Sequence, residues 1–488
     1  MTMIRRNLSI AILACLCGFA HGKVDPPKPF GPTPTQRQME WHETGYYAFI
    51  CLSTATYRDV EWGYGDASPD EFQPTKFNPR QWAEVVKAAG MRGMVLTAKH
   101  HDGFCLWPSK LTDYSVASSS WRGGKGDIVG ELAREAKRAG LKFGVYLSPW
   151  DRHEMTYGTP AYLDYFRGQL KELLTWYGPI FEVWQDGANG GDGYYNGLRE
   201  KRIVDGKTYY DWATTDTLIR KLQPMACIFG DGGPDARWCG NEVGMAGDPN
   251  WATLQKDNYT PGIADINGLQ HGDKGGSHWV PSEVDVSIRP GWFYHESEDD
   301  KVKSVEQLMN IYYCSVGRGA NLILNAPPTK DGLIHPIDSA RLVDFGKALK
   351  REFSNPLRRD MIRQITASNV RGGSKRYGAA KVVDGKKKTY WATDDNVRKA
   401  STTIEMKKAQ QLYRLRLKEP IQLGQRIEKF CIEARGTDGQ WQTIENGTTI
   451  GPQRLVKLPK MEATALRVTV ESSMACPLLS EIQLFLPY

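Results

Sequence analysis

Two acidic residues, Asp186 and Glu242, have sequence surroundings that would leave one side chain ionised and the other protonated. Asp186 follows the apolar run 181–184 and precedes Gly187, which lets a substrate approach the carboxylate closely. Glu242 comes just after the segment 237–240, whose apolar surroundings would raise the pKa of a carboxyl group. A carboxylate nucleophile or base paired with a protonated acid is what cleavage of a glycosidic bond requires. Glycoside cleavage is therefore the chemistry that these residues indicate.

Both assignments have alternatives. Glu283 is a competing acid, and Glu182 is a weaker one because strand alternation places it on the face that would line a core. Asp186 would otherwise be a structural carboxylate at the end of a strand. Glu242 would otherwise form a buried salt bridge with Arg237 or another neighbour.

Polar groups and aromatic rings gather near the ends of the apolar runs. Aromatic residues make up 11% of the chain, with 15 tryptophans, and flat apolar rings edged with polar groups suit sugars. Adjacent histidines of a strand point to opposite faces, so hydrogen bonds to a hydroxylated ligand are favoured over a catalytic metal, and no cofactor is expected. The candidate substrate-binding residues are Cys51, Glu61, Trp62, His100, His101, Trp107, Tyr146, Trp184, Arg289 and Trp292.

Eight apolar runs have the length and composition of buried parallel strands, and helical patterns alternate with them. This order predicts a (β/α)₈ barrel, in which the active site forms at the carboxyl ends of the strands. The pattern is irregular between the fifth and sixth runs, because residues 231–236 are too few for a helix. The runs are 46–52, 93–98, 142–147, 180–184, 226–230, 237–240, 284–288 and 321–325. The helical patterns are 79–89, 127–139, 160–177, 211–222, 302–316 and 339–351.

From about residue 357 the helical periodicity gives way to short alternating runs separated by turn signals such as Thr437-Asp438-Gly439. These features are typical of an all-β sandwich. The predicted organisation is an extended lead-in over 23–38, a catalytic barrel over 39–356 and a sandwich over 357–488.

Residues 1–22 have the features of a signal peptide. Arg5 and Arg6 precede an apolar run that ends at Ala20-His21-Gly22, a small-x-small cleavage site. The run is too short to span a bilayer as a stable helix, so the sequence predicts no membrane span and an exported protein, periplasmic or extracellular. Lipid attachment at Cys15 is a less favoured alternative.

Charge and cysteine content exclude other classes. The net charge is +7, and the basic runs are short, such as the three lysines of 386–388. Neither feature indicates a nucleic-acid partner, which usually binds a basic patch or stripe. Seven cysteines follow the leader, an odd number without C-x-x-C spacing, so neither a disulfide scaffold nor a structural zinc site is expected. The expected partner is an oligosaccharide or polysaccharide, and the sequence carries no signal for an oligomeric state.

The motifs together resemble the α-L-fucosidases of glycoside hydrolase family 29. Segments 99–107 and 181–188 are similar to the family's paired-histidine and nucleophile motifs, and 238–242 with 287–295 resemble its narrower-specificity branch. The resemblance implies a retaining double displacement with Asp186 as nucleophile and Glu242 as acid/base.

The C-terminal domain carries a second resemblance. Segments 382–385 and 389–391, with the strand series after them, are similar to discoidin-like (coagulation factor type C) domains. Such domains often bind carbohydrate and sometimes calcium, and a structural prop for the barrel is an equal alternative.

One departure from the family affects the substrate. The first strand of the family usually ends Phe-Ile-His, and here it reads Phe49-Ile50-Cys51. The loss of a buried donor to a sugar hydroxyl costs about 1–3 kcal/mol. Because L-galactose is L-fucose with a hydroxyl at C6, space at Cys51 makes exo-α-L-galactosidase the alternative to exo-α-L-fucosidase. A non-catalytic carbohydrate-binding protein is a further alternative. The presence of both Asp186 and Glu242 argues against it.

Overall fold

The computed structural model describes residues 24–262 and 265–488, so the predicted signal peptide lies outside the described residues. In the described chain an eight-stranded sheet closes into a barrel, which confirms the predicted fold class. The barrel strands are β1 Tyr46–Ile50, β2 Gly93–Lys99, β3 Lys142–Leu147, β4 Glu182–Trp184, β5 Cys227–Gly230, β6 Ala236–Trp238, β7 Ser282–Ser287 and β8 Asn321–Asn325.

The barrel closes where β1 pairs with both β2 and β8. All neighbouring strands are parallel, and Ala48 of β1 lies opposite Met94 of β2 and Leu324 of β8. Every residue of β1, β2 and β8 is buried. Burial on both faces explains why these strands read as continuous apolar runs rather than as alternating ones.

Local capping signals define several helix ends. Asn78 Oδ1 accepts the N–H of Gln81 at 3.1 Å, and Asp127 Oδ1 accepts that of Gly130 at 2.8 Å. Gly140 ends its helix with a φ of 74°, a left-handed conformation that favours glycine. The α-helices of the described residues are α1 Gln36–Thr44, α2 Thr54–Arg58, α3 Pro79–Ala88, α4 Ile128–Ala139, α5 Pro160–Trp176, α6 Trp212–Leu222, α7 Ile266–His271, α8 Val305–Cys314 and α9 Pro336–Glu352.

The barrel is irregular between β5 and β6, which residues 231–235 join without a helix. The connection from β6 to β7 is longer and contains α7 and a ribbon that pairs Thr253–Leu254 with His278–Trp279. A second ribbon, Gly190–Gly193 with Glu200–Ile203, follows β4. The ribbon after β4 extends the carboxyl end of the barrel, whereas the first ribbon lies at the amino end, where Trp279 contacts Gln38 and His42 of α1.

The C-terminal domain consists of two antiparallel sheets over one apolar core. The strands of this domain are β9 Ile362–Ala367, β10 Ala400–Gln411, β11 Arg414–Lys418, β12 Ile427–Arg435, β13 Trp441–Gly447, β14 Arg454–Lys457, β15 Glu462–Ser473 and β16 Glu481–Phe485. The larger sheet has the order β9-β10-β15-β12-β13, and the smaller has the order β14-β11-β16. A short ribbon pairs Trp391–Ala392 with Leu478–Leu479.

The sandwich is fixed to the barrel beside α8 and α9. Glu352, at the end of α9, accepts hydrogen bonds from Tyr313 and Tyr413 at 2.7 Å and from Arg414 at 2.5 Å. These bonds hold the pKa of Glu352 below its usual value although its burial acts in the opposite direction. The ionised carboxylate therefore joins a barrel helix to a sandwich strand.

Candidate active site

Asp186 lies two residues beyond the end of β4, at the carboxyl end of the barrel. Tyr146, in β3, donates its hydroxyl proton to Asp186 Oδ2 at 3.0 Å, and the N–H of Ala188 donates to Oδ1 at 2.8 Å. Burial raises the pKa of Asp186, and these two hydrogen bonds oppose the rise. Because one donor holds each oxygen, the carboxylate is oriented, and both bonds favour its charged form against the larger effect of burial.

Glu242 is exposed on the loop that follows β6. Trp292 Nε1 donates to Glu242 Oε2 at 2.9 Å. Desolvation raises the pKa of Glu242, and the neighbouring carboxylates Asp186 and Glu61 raise it further, whereas the bond from Trp292 lowers it. A carboxyl group with a raised pKa is suited to donating a proton. The structure thus brings the two predicted catalytic carboxyl groups into one site.

Glu61 organises the loop that carries Trp292. Its carboxylate accepts the backbone N–H of Trp292 at 2.7 Å and that of Phe293 at 3.2 Å. It also accepts a hydrogen bond from the ring of His295 at 2.7 Å, and the bonds that this ring makes to Asp59 and Glu61 raise the pKa of the imidazole against the effect of burial. Glu61 therefore positions Trp292 by connecting the loop after β1 to the loop after β7.

His100 and His101 directly follow β2, at the carboxyl end of the barrel, and both are buried. His101 Nδ1 contacts Ser148 Oγ at 2.7 Å, while His100 Nδ1 has no hydrogen-bond partner among the described residues. Burial lowers the pKa of His101 to about 3 and that of His100 well below its usual range. Both rings are therefore neutral at pH 7, and Nδ1 of His100 is a buried polar atom without a partner among the described residues.

Aromatic side chains form one edge and the floor of the pocket. Trp62 is 60% exposed at the rim, with its ring edge-on to His101 and Trp150 at 5.8 and 6.0 Å between centroids. Trp184 is buried and stacks on Phe229 at 4.0 Å. Trp62 is thus free to contact a ligand, whereas Trp184 supports the floor.

Cys51 lies in the same buried cluster as Tyr146, Trp184 and Phe293. Its side chain is 2% exposed, and burial raises the pKa of the thiol well above its usual value. The Cys51 thiol is therefore a small neutral group, placed where the resemblance predicts a histidine.

The two alternative acids lie in the barrel interior. Glu182 Oε1 accepts the Nε1 proton of Trp41 at 2.8 Å, and Glu283 Oε1 accepts that of Trp184 at 2.8 Å. Tyr47 hydrogen-bonds to both carboxyl groups. Burial, together with the proximity of Glu283, raises the pKa of Glu182 well above its usual value. Neither glutamate reaches the rim, so the prediction of Glu283 as a competing acid is corrected.

Two predicted sugar-binding residues lie outside the pocket. Trp107 is fully buried in the layer between barrel and helices, and its Nε1 donates to Glu172 of α5 at 2.8 Å. Arg289 is also fully buried and makes a bidentate pair with Asp338 of α9 at 2.7 and 2.9 Å. A buried guanidinium needs such an ionised partner, and here the partner is on the helix side of the strand.

Two further acids lie near the site, and neither was assigned a role from the sequence. Asp231 follows β5, and its Oδ2 accepts the N–H of Gly262 at 2.7 Å; burial, with a contribution from Asp186, raises its pKa to about 6. Asp285, in β7, accepts the Nε1 proton of Trp238 at 2.9 Å, and burial raises its pKa well above the usual value. Asp231 directly follows the end of a barrel strand, so the expectation that the active site forms at the carboxyl ends of the strands would have identified it.

Within residues 24–262 and 265–488, no three histidine, cysteine, aspartate or glutamate side chains are grouped so that they could hold a metal ion. No helix in the same ranges has the length and apolar character needed to cross a membrane.

Comparisons with known proteins agree with this geometry. The alpha-L-fucosidase family profile matches residues 31–353, and the F5/8 type C domain profile matches residues 364–482. Alpha-L-fucosidase 1 of Arabidopsis thaliana is 43% identical over 464 residues, covering 94% of this chain and 88% of the plant protein. The tissue alpha-L-fucosidase of Homo sapiens is 28% identical over 59% of this chain and 56% of its own.

Solved structures show the same relationship. A glycoside hydrolase 29 family member from an unknown rumen bacterium is 44% identical, with a TM-score of 0.83, over 94% of this chain and 78% of its own. A Ruminococcus gnavus GH29 fucosidase solved in complex with fucose is 30% identical, with a TM-score of 0.86, over 96% and 97% of the two chains.

The barrel, its two rim carboxyl groups and these relatives define a glycoside hydrolase. More narrowly, the chain belongs to the α-L-fucosidase family, glycoside hydrolase family 29, and carries a C-terminal discoidin-like domain.

Proposed function

We propose that this protein is a retaining exo-α-L-fucosidase that releases terminal α-L-fucose from oligosaccharides or glycans. The observation that carries the proposal is the pairing of an oriented carboxylate, Asp186, with an exposed carboxyl group of raised pKa, Glu242, at one barrel rim. The Ruminococcus gnavus relative solved with fucose supports the choice of sugar.

In the first step Asp186 attacks the anomeric carbon and forms a glycosyl ester. Glu242 gives its proton to the glycosidic oxygen as the bond to the leaving group breaks. In the second step Glu242 removes a proton from water, which attacks the same carbon and displaces Asp186. Two inversions retain the anomeric configuration, and each carboxyl group returns to its starting state.

The pocket supplies the contacts that orient the sugar. The neutral rings of His100 and His101 present nitrogen atoms to sugar hydroxyl groups, and Trp62 and Trp292 present apolar faces at the rim. The resemblance of segments 238–242 and 287–295 supports assignment to the narrower-specificity branch of the family.

An aryl α-L-fucoside tests the proposal, because its cleavage needs only the pocket and the two carboxyl groups. We expect wild-type protein to release the phenol and L-fucose. Absence of release from this substrate, and also from fucosylated oligosaccharides, would refute the proposed activity.

The pH dependence of the reaction tests the role of Glu242. Trp292 Nε1 stabilises the charged form of this carboxyl group, so Trp292→Phe removes a bond that lowers its pKa. Because Glu242 must be protonated in the first step, the alkaline limb of kcat/KM should move to higher pH. An unchanged alkaline limb in Trp292→Phe, with folding intact, would show that Glu242 is not the acid.

Exo-α-L-galactosidase activity is the second candidate, and Cys51 is the observation that favours it. A thiol leaves more space beside Tyr146 and Phe293 than an imidazole would, and the C6 hydroxyl of L-galactose is the group that needs space. Both aryl glycosides should therefore be assayed with the wild type and with Cys51→His.

We expect Cys51→His to shift the ratio of kcat/KM values toward the fucoside by about tenfold, through one added hydrogen bond and lost volume. Cys227→Ser, at a buried thiol deeper in the same cluster, is the control and should leave the ratio unchanged. A ratio that is equal in wild type and Cys51→His would exclude Cys51 as a determinant of specificity.

Export to the periplasm or the extracellular space is a further part of the proposal, and the signal-peptide features of residues 1–22 support it. Sequencing the N-terminus of the protein recovered from its native cells tests this. A chain that begins near residue 23 agrees with export, whereas an intact N-terminus contradicts cleavage.

A further inference from the structure

A groove of about 600 Å³ leads from the loop after β6 to the sandwich, along α8. Val243 lines one end, directly after Glu242 in the chain, and Lys457 of β14 and Arg414 of β11 line the other. The volume lies in the range of sites that enclose small ligands. The groove is thus built by both domains and includes the residue that follows Glu242 in the chain.

Close packing holds two loops of the active site against α8, the helix that lines the groove. Gly244 lies so near α8 that a Cβ there would approach Ile311 to 2.8 Å. Lys303, just before α8, donates to the carbonyl oxygens of Ser287 and Arg289 at 2.8 and 3.2 Å. The loops after β6 and β7 are therefore both anchored against α8, where the groove begins.

The position of the groove fits the leaving group. Because Glu242 protonates the glycosidic oxygen, the departing chain lies on the Glu242 side of the pocket. Val243, 64% exposed, is the next side chain in that direction. A chain of sugars that continues past the cleaved bond can therefore enter the groove.

The far end of the groove is positively charged. Lys457 Nζ lies 4.6 Å from the ring centroid of Tyr313 and forms no ion pair among the described residues. Arg414 already pairs with Glu352 at 2.5 Å. Glu306, near the entrance, is the other acid of the lining. Lys457 is therefore the cation that remains available to a ligand.

The remaining lining suits a carbohydrate. Asn310 is exposed on α8 and offers an amide donor and acceptor to hydroxyl groups. Gln307, one turn earlier, offers its amide N–H groups, because its Oε1 already accepts the N–H of Ser304 at 2.7 Å. Together with the flat ring of Tyr313 they provide hydrogen bonds and an apolar surface. A neutral ligand would leave Lys457 unmatched, whereas an anionic sugar would pair with it.

We propose that this groove binds the leaving-group chain of an acidic glycan, with Lys457 recognising a carboxylate or sulfate ester on one of its sugars. The inference rests on the proposed function, because it assumes that the chain departs past Glu242. It extends that function by naming an anionic polymer or oligosaccharide as the substrate class and by giving the sandwich a part in binding it.

Three α-L-fucosylated oligosaccharides of equal length, with a neutral, a uronate-bearing and a sulfated leaving chain, test the proposal against an aryl α-L-fucoside. We expect the wild type to show a lower KM for at least one acidic substrate than for the neutral one. Lys457→Ala should raise that KM about threefold and Lys457→Glu about tenfold, and both effects should shrink at high salt. The response of the uronate and sulfate arms identifies the anion.

Lys460→Ala, at an exposed lysine of the same domain, is the matched control and should change nothing. The aryl fucoside, which has no chain to place in the groove, should be hydrolysed equally by wild type and all lysine variants. Equal KM values for neutral and acidic substrates, or no effect of Lys457→Glu, would overturn the inference. Failure of the wild type on every substrate would instead overturn the proposed function.

Discussion

Asp186→Ala should lower kcat/KM on an aryl α-L-fucoside by roughly four to six orders of magnitude, as expected when the nucleophile of a two-step reaction is removed. No other carboxyl group can replace it, because attack requires the position that Tyr146 and Ala188 fix. Steady-state kinetics on the purified variant measure the loss.

Added azide separates a chemical loss from a folding defect. The Asp186→Ala cavity admits this small anion, which attacks from the side of the missing carboxylate and gives a fucosyl azide of inverted configuration. Asp192→Ala, at an exposed carboxylate of the following ribbon, is the control and should retain wild-type activity. Near-normal turnover in Asp186→Ala would contradict its role.

Glu242→Ala should produce a loss that depends on the leaving group. A poor leaving group needs the proton that Glu242 supplies, so we expect kcat/KM to fall by roughly 10²–10⁴-fold with an alkyl or sugar leaving group. A dinitrophenyl leaving group departs without that proton, so its kcat/KM should fall far less. Glu84→Gln, at an exposed acid of α3, should behave as the wild type.

In Glu242→Ala azide should act on the glycosyl ester in place of water and give a fucosyl azide of retained configuration. This outcome is opposite to that expected for Asp186→Ala, so the pair of products distinguishes the acid/base from the nucleophile. An equal loss for good and poor leaving groups would contradict the assignment of Glu242 as the acid.

The barrel could be predicted because its strands, buried on both faces, stand out as short apolar runs between helical patterns. The approximate location of the site followed, since Asp186, His100 and Trp292 lie at or beyond the ends of those strands. Asp231 obeys the same rule but ends a strand that the sequence analysis did not follow to the rim.

Side-chain direction beyond a strand end could not be predicted. Arg289 and Trp292 are three residues apart, yet one pairs with Asp338 on the helix side and the other bonds Glu242 at the rim. Trp107 similarly turns toward Glu172. Each direction depends on a partner far along the chain, and no local pattern encodes that partner.

The positioning role of Glu61 has the same origin. Its contact with the N–H of Trp292 joins residues 231 positions apart and exists only once the barrel has closed. From the sequence, Glu61 was predicted to lie at the rim and to bind sugar. The structure shows it bound to the backbone of the loop that carries Trp292, a function that conventional motif analysis does not reveal.

In the proposed mechanism Asp186 forms a covalent glycosyl ester during turnover. Peptide mapping by mass spectrometry detects this ester after inactivation with 2-deoxy-2-fluoro-α-L-fucosyl fluoride, whose ester is hydrolysed slowly. We expect one fluorofucosyl group per chain, attached to the peptide that contains Asp186. A label on Glu242, Asp231 or any other residue, or turnover with no labelled peptide and an inverted sugar product, would contradict it.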